Sequence, residues 1–246
     1  MWEQILPGLR IKIFMTVLLG VLYPLAITGV SQAVFPHQAN GSLVTAGGKL
    51  IGSDLIGQAF SKPEYFRPRP SSAGNGYDAA SSSGSNLGPT SAKLLRGTTK
   101  IDEKKNEVVD YDGVSLRLVH YCVDNGIPYE SSVALEQFKD AGGELDDVKL
   151  IKAFNDAKSP LRFTAKSPIP ADAVTSSASG LDPHISPANA AAQAGRVAKT
   201  RGVAVEQVNR LIAAATEGPE LGILGESRVN VLRLNLALDR QLSAKR

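Results

Sequence analysis

The chain has 246 residues, of which 43% are hydrophobic, a formal net charge of +3 and a single cysteine, Cys122. So weak a charge, with no basic run, argues against a nucleic-acid partner. One cysteine excludes an internal disulfide and a cysteine-based zinc site. Much of the hydrophobic content lies near the N-terminus, and the remainder is polar, with enough Val, Ile and Leu for one sizeable core.

Residues 13–35 carry no charge and predict one transmembrane helix. At a rise of about 1.5 Å per residue the block reaches roughly 34 Å, against a hydrocarbon core of about 30 Å. A buried core helix would be shorter and apolar on one side only. Arg10, Lys12 and the small residues around Ala33 fit a cleaved signal peptide, but the apolar block is too long for one. We therefore interpret the block as a retained anchor.

The charges beside the block predict its orientation. Arg10 and Lys12 precede it directly, whereas the first lysine or arginine after it is Lys49. The positive-inside rule places residues 1–12 in the cytoplasm and residues 36–246 outside it.

Pro24 lies in the middle of the predicted span and would free the backbone carbonyl of Gly20. Thr16 and Thr28 lie at helical spacing around this defect. Small residues of this kind permit close contact with partner helices. A harmless break in a membrane helix is an equally good reading.

One or two short strands and a long loop are predicted after the span. Residues 42–44 and 50–52 have the pattern of short strands. Residues 71–91 are dense in Gly, Ser and Asn, a composition that first suggests a flexible linker. Tyr77 and Leu87 interrupt the polar run, and this favours an ordered loop.

Residues 98–166 are more charged than the rest of the chain and predict an insertion or small subdomain. Two short amphipathic helices are expected there, one ending at Gly126 and one capped by Asp146 or Asp147.

The last third of the chain has the clearest helix signals. Ser186 is a predicted N-cap, Pro187 the first helical residue and Gly202 the residue after the helix. A second helix is predicted over 205–216, and residues 229–236 alternate like a strand. Strands at both ends with helices between them predict an α+β domain whose terminal strands pair in one sheet.

Motifs for catalysis are weak. The sequence has no P-loop for ATP. Ser, Asp182 and His184 occur together in residues 175–184, which leaves open a membrane-anchored periplasmic hydrolase, although sequence adjacency is not how triad members meet. A turn before the Ser186 cap is the better reading. A third hypothesis is an anchored module that binds a glycan or solute through the loop at 71–91. We expect the loop at 71–91 and the turn at 182–187 to build one rigid, partner-facing surface.

Several motifs occur in order along the chain: YPLAITG from Tyr23, GSDLIGQ from Gly52, YF from Tyr65, RPS from Arg69, GSNLGPT from Gly84, SASGLDPHISP from Ser177, RVA from Arg196, VNV from Val229 and LNLALD from Leu234. Together they resemble the C subunit of the Kdp potassium-transporting ATPase. The resemblance makes the following residues candidate partner contacts: Tyr23, Pro24, Gly29, Gly57, Gln58, Tyr65, Phe66, Arg69, Pro70, Ser85, Asn86, Leu87, Ser179, Gly180, Asp182, His184, Ser186, Pro187, Asn189, Arg196, Asn230 and Asn235. Residues 98–166 depart from the family pattern, since this stretch is longer than in compact members.

The resemblance implies a non-catalytic accessory subunit in the bacterial inner membrane. Its partners would be a potassium channel-like subunit, a P-type ATPase subunit and a small membrane subunit, which together handle ATP and potassium. The chain itself would hold no catalytic residue, metal or cofactor. The resemblance implies that the chain is required for assembly. It also implies a catalytic chaperone function that raises the ATP affinity of the ATPase subunit. Because the predicted orientation turns the domain away from cytoplasmic ATP, such an effect would have to pass through the span. The same orientation better suits a lid near the potassium entrance of the channel-like subunit.

Overall fold

A computed structural model describes residues 2–242. It divides into two compact units, the first ending at Leu55 and the second beginning at Ile56. The second unit combines helices with short antiparallel strands, so the predicted α+β class is confirmed.

A long apolar helix dominates the first unit. It consists of α1 (Trp2–Val17), a π-helical turn (Leu18–Leu22) and α2 (Tyr23–Val34). By length and composition the stretch Glu3–Val34 is a candidate membrane span, and it begins earlier than the predicted block at 13–35. The π-helical turn lies just before Pro24, which has no N–H to donate and cannot continue the regular bonding pattern. The predicted defect at Gly20 is inside this turn.

A short helix and a hairpin complete the first unit. The helix α3 spans Pro36–Ala39, and strands β1 (Leu43–Ala46) and β2 (Lys49–Ser53) form an antiparallel pair. The prediction of one or two short strands is thus confirmed, and there are two. They pair with each other, so the prediction that the terminal strands of the chain share a sheet is wrong.

The second unit opens with a long loop and then a group of small elements. These are α4 (Ala92–Arg96), β3 (Thr98–Ile101), β4 (Glu107–Tyr111), α5 (Gly113–Asn125), β5 (Tyr129–Ser131), α6 (Asp147–Phe154) and β6 (Phe163–Ala165), with β3–β4 and β5–β6 as antiparallel pairs. Asp146 caps α6 by accepting the N–H of Lys149 at 3.0 Å, as predicted. The free thiol of Cys122 is buried in α5.

This group has a hydrophobic cluster of its own. The cluster consists of Leu116, Val119, Leu135, Leu150, Ile151, Phe154 and Leu161. This cluster is separate from the main core, which is described next.

The last third supplies the main core. Its elements are β7 (His184–Ile185), α7 (Pro187–Arg201), α8 (Val205–Ala215), β8 (Thr216–Glu217), β9 (Arg228–Asn230) and α9 (Val231–Gln241). The strands form one antiparallel sheet in the order β7-β9-β8. The main core gathers Phe66, Ile185, Ala190, Ala194, Val197, Ala198, Val208, Leu211, Ile212, Val229, Val231, Leu234 and Leu238. The predicted limits of α7 are confirmed, with Ser186 as N-cap and Gly202 after its last residue.

The prediction of a strand over 229–236 is wrong beyond Asn230. The Asn230 side chain accepts the N–H of Arg233 at 3.1 Å and starts α9. Within α9, Leu234 and Leu238 are buried together with the polar Asn235. Spacings of three and four residues are those of a buried helix face. Because the polar Asn235 follows Leu234 and precedes Leu236, apolar and polar residues alternate in the sequence as they do in a strand.

Candidate functional site

Two segments, 69–87 and 175–186, pack against each other, and we call them the loop cluster. The Ser71 hydroxyl donates to the Gly180 carbonyl oxygen at 2.6 Å. The Ser83 N–H and the Ser82 hydroxyl both donate to the Ser179 carbonyl, at 3.0 and 2.9 Å. The prediction of an ordered loop rather than a flexible linker is confirmed.

Gly180 lies where the two segments meet most closely. Its φ is +67°, and a Cβ at this position would be 2.5 Å from the Ser83 carbonyl oxygen and 2.8 Å from the Ala73 nitrogen. Gly57 packs against the same turn, since a Cβ there would be 2.6 Å from the Asp182 carbonyl oxygen. Real Cβ atoms do not approach backbone so closely, so the loop cluster requires glycine at both positions.

Arg69, Asp182 and His184 form the ionisable part of the loop cluster. Arg69 Nη1 lies 3.0 Å from Asp182 Oδ2, and Arg69 Nη2 donates to the Ser176 carbonyl at 3.4 Å. The His184 N–H donates to Asp182 Oδ1 at 2.9 Å. Burial alone would raise the pKa of Asp182, but the contacts of its carboxylate with His184 and the charge of Arg69 outweigh burial and lower that pKa.

The geometry around His184 does not match a hydrolase triad. Its Nδ1 is 3.6 Å from Asp182 Oδ1, too long for the hydrogen bond by which an aspartate orients a catalytic histidine. The Ser186 hydroxyl donates to Asp172 Oδ1 at 3.0 Å and is also used as a helix cap. These side chains hold a turn together, in agreement with the turn reading of this segment.

A polar cleft of about 580 Å³ lies beside these residues. Its ionisable lining consists of Arg69, Asp172, Asp182, His184, Glu226 and Arg228. The mixed signs suit contact with polar groups of a partner rather than capture of one strongly charged ligand.

Asp172 links the loop cluster to α7. Its carboxylate accepts the Ser186 N–H at 2.7 Å and the Asn189 side-chain N–H at 3.0 Å. The Tyr121 hydroxyl donates to Asn189 Oδ1 at 2.8 Å, and burial raises the pKa of Tyr121. The turn, the start of α7 and α5 are therefore joined through one carboxylate and one amide.

Side chains from α7 and α9 also hold the segment 63–67, which begins as a turn and contains no helix or strand. Asn235 accepts the Phe66 N–H at 2.8 Å and donates to the Phe66 carbonyl at 3.0 Å. Gln193 does the same for Arg67, at 2.8 and 3.0 Å. Each buried amide thus pairs with a backbone N–H and C=O as a neighbouring strand would. The backbone groups of Phe66 and Arg67 are therefore hydrogen-bonded without a sheet.

Two buried arginines complete this arrangement. Arg196 donates to the Tyr65 carbonyl and to Asn125 Oδ1, both at 2.9 Å, and burial lowers the pKa of Arg196 to about 10. Arg201 pairs with Asp239 at 2.8 Å and lies 5.1 Å from the centre of the Tyr65 ring. Both guanidinium groups therefore act inside the domain.

The predicted contact candidates fall into three groups by burial. Buried are Gly57, Phe66, Gly180, Asn189, Arg196, Asn230 and Asn235. Half-buried are Gln58, Tyr65, Arg69, Pro70, Ser85, Leu87, Asp182, His184, Ser186 and Pro187. Exposed are Asn86, Ser179 and the helix residues Tyr23, Pro24 and Gly29. The buried ones stabilise the domain itself, whereas contact with a partner stays a prediction for the other two groups.

Sequence reasoning missed Asp172, Gln193 and Arg201, each of which makes several of these bonds. A signal was present for Gln193, because Asn189, Gln193 and Arg196 recur on one face of an otherwise alanine-rich helix. Asp172 and Arg201 carry no comparable pattern, since their partners are distant in sequence.

Known proteins resemble the chain over nearly its whole length. A family model described as "KdpC: K+-transporting ATPase, c chain" matches residues 5–119 and 144–240. The potassium-transporting ATPase KdpC subunit of Mycobacterium tuberculosis strain H37Rv is 44% identical over 240 residues, which cover 98% of this chain and 100% of the relative. The subunits of the same name from Myxococcus xanthus and Caulobacter sp. strain K31 are 43% and 45% identical, covering 98% and 93% of this chain and 90% and 89% of the relatives. The chain belongs to the KdpC family, the c chain of K+-transporting ATPases.

Proposed function

We propose that this chain is a non-catalytic accessory subunit of a high-affinity, ATP-driven potassium uptake complex and is needed for its assembly. The observation that carries the proposal is the similarity, over nearly the whole chain, to subunits named for a potassium-transporting ATPase. The geometry supports an accessory role, because the charged motif residues Arg69 and Asp182 bind each other and the backbone of the loop cluster.

The proposed partners are a potassium channel-like subunit, a P-type ATPase subunit and a small membrane subunit. In this proposal the partners handle ATP and potassium, and the chain holds no cofactor by itself. The long apolar helix supports membrane anchoring beside those subunits.

We further propose that the N-terminus is cytoplasmic and the second unit extracytoplasmic in the bacterial inner membrane, on the basis of Arg10 and Lys12. A matched pair of exposed cysteines, Gln4→Cys and Glu103→Cys, tests this with a membrane-impermeant thiol reagent on spheroplasts. We expect labelling of Glu103→Cys in intact spheroplasts and of Gln4→Cys only after lysis. The reverse pattern would overturn the orientation.

The catalytic chaperone role is the finest part of the proposal. With the domain on the far side of the membrane, an increase in ATP affinity must reach the ATPase subunit as a coupling free energy through the helices. Replacing residues 13–35 by an unrelated polyleucine span should then preserve insertion, weaken assembly and raise the KM for ATP. An intact complex with an unchanged KM would contradict this route.

Deleting the chain's gene tests the function as a whole. We expect loss of growth on micromolar potassium, rescue by the intact gene and co-purification of the tagged chain with the channel-like and ATPase subunits. His184→Ala should change potassium-stimulated ATP hydrolysis only modestly. A loss of roughly a thousandfold in a complex that still assembles would point to proton transfer by His184 and contradict a non-catalytic role.

A further inference from the structure

The connection between β8 and β9, residues 218–227, exposes large apolar side chains, and we call it the apolar loop. Leu221 is 89% exposed, Ile223 81% and Leu224 55%. Scattered single apolar residues on a surface are normal, but three within four positions form a contiguous patch.

The apolar loop has a defined backbone. The Glu220 N–H donates to the Leu224 carbonyl at 2.8 Å, and the Leu224 N–H donates to the Glu220 carbonyl at 2.9 Å. At its base Arg228 Nη2 lies 3.1 Å from Glu220 Oε1, next to the paired strand residues Glu217 and Arg228. The apolar side chains are therefore presented on a closed turn and not on an unstructured tail.

Leu221 occupies a backbone conformation that disfavours leucine. Its φ is +53°, a region in which glycine or asparagine would be adopted at lower cost. Its side chain is almost fully exposed, so packing inside the domain does not offset that cost. A leucine that costs stability and packs on nothing in its own domain indicates a contact with another molecule.

The charges around the apolar loop distinguish between possible occupants. Arg228 pairs with Glu217 at 3.3 Å and with Glu220 at 3.1 Å, so among the described residues Glu226 is the acid at the rim of the apolar loop that has no ion pair. An anionic lipid surface attracts basic segments and gains no attraction from this one. A second copy would bring its own Glu226 to the interface, because a two-fold interface joins identical patches. An apolar recess with a basic rim on a different protein complements both the apolar side chains and Glu226.

We propose that the apolar loop is a plug that inserts into an apolar, basic-rimmed recess of a partner subunit of the potassium-transporting complex. This inference rests on the proposed function, which supplies the partner subunits. Glu226 and Arg228, at the base of the apolar loop, also line the polar cleft beside His184, so the plug lies next to the half-buried residues of the loop cluster.

A photoreactive benzoylphenylalanine in place of Leu221, in the full-length chain purified with its complex, tests the proposal directly. We expect an ultraviolet-dependent cross-link to the channel-like or ATPase subunit. A cross-link only to lipid or to a second copy, or no cross-link in a complex that has co-purified, would overturn the plug. If no partner subunit co-purifies at all, the proposed function itself fails, so the two failures are distinguishable.

Substitutions measure how much the plug contributes. Leu221→Ser combined with Ile223→Ser should accelerate dissociation of the chain from the solubilised complex at least tenfold, and Glu226→Lys should do so to a smaller extent. The matched control is Ile101→Ser, which removes an exposed apolar side chain of β3. Equal dissociation rates for the double variant and the control, with unchanged thermal unfolding, would contradict the proposal.

Discussion

The loop cluster and the apolar loop contain glycines with similar positive φ angles but opposite surroundings. Gly180 has a φ of +67° and Gly222 a φ of +77°. A Cβ on Gly180 would collide with backbone, whereas a Cβ on Gly222 would meet nothing within 4 Å. A glycine at a similar positive φ therefore permits tight internal packing in one region and display of side chains in the other. The two regions differ in whether a second segment of the chain packs against the glycine, and the local sequence does not reveal this.

The largest expected effect comes from Gly180→Ala. The added methyl group would overlap the Ser83 carbonyl oxygen at 2.5 Å and hold an alanine at positive φ. We expect a loss of about 3 kcal/mol in the free energy of unfolding, since strain and displaced backbone act together. Denaturant unfolding of the full chain in detergent, followed by circular dichroism, measures it.

Gly222→Ala is the matched control for that prediction. It introduces the same positive-φ strain in open space, so we expect a loss of only about 1 kcal/mol. Equal losses for the two variants would mean that backbone conformation alone matters, and the contrast between the regions would fail.

Ser71→Ala should have the next largest effect. The Ser71 hydroxyl donates to the Gly180 carbonyl at 2.6 Å and accepts the Tyr77 and Ala73 N–H groups at 2.8 and 3.2 Å. Removing three bonds at one point should cost about 2 kcal/mol. The exposed Ser227, at the end of the apolar loop, provides the control, and Ser227→Ala should change stability by less than about 0.5 kcal/mol. A loss at Ser71 no greater than at Ser227 would contradict the idea that the loop cluster is held from within.

Ser186→Ala should cost about 1 to 2 kcal/mol, the upper part of the range for an N-cap. The hydroxyl both accepts the Asn189 N–H at 3.1 Å and donates to Asp172 at 3.0 Å. Ser186→Thr keeps both bonds and should recover most of the loss in the same unfolding measurement. No recovery would show that packing of the side chain, not its hydroxyl, is what matters.

The smallest effect concerns the pH dependence of stability through Asp182. Its pKa is lowered in the folded state, so its contribution is present above the unfolded pKa of about 3.9 and is lost as the pH falls through the folded pKa. Asp182→Asn should be less stable than the unmodified chain at pH 6, with the difference shrinking below about pH 4. A difference that is constant from pH 6 to pH 2 would show that the carboxylate charge does not contribute.

Local signals in the sequence predicted several elements correctly. The uncharged block, the Ser186 and Asp146 caps and the glycine after α7 each depend on residues close together in the chain, and each was found. The start of α9 was missed because Asn235 is polar yet buried, bonded to Phe66 far away in sequence. Periodicity assumes that buried residues are apolar, and that assumption fails where a side-chain amide replaces a strand partner.

The candidate site was predictable only as a set of motifs. Family resemblance picked out Arg196 and Asn189 together with His184, without distinguishing their surroundings. The structure separates them, because Arg196 and Asn189 are buried and His184 borders a cleft. Leu221 and Ile223 escaped notice, since an exposed leucine in a turn has no periodicity to reveal it.

The reactivity of the buried Cys122 thiol reports local opening of the structure around α5. Cys122 is fully buried in α5, and burial raises the pKa of its thiol, so both access and thiolate formation are suppressed while α5 is packed. A thiol reagent can then react only during transient opening of this region, and its rate reports the population of the open form. Because Cys122 is the chain's single cysteine, that rate can be followed on the purified chain without introducing a probe.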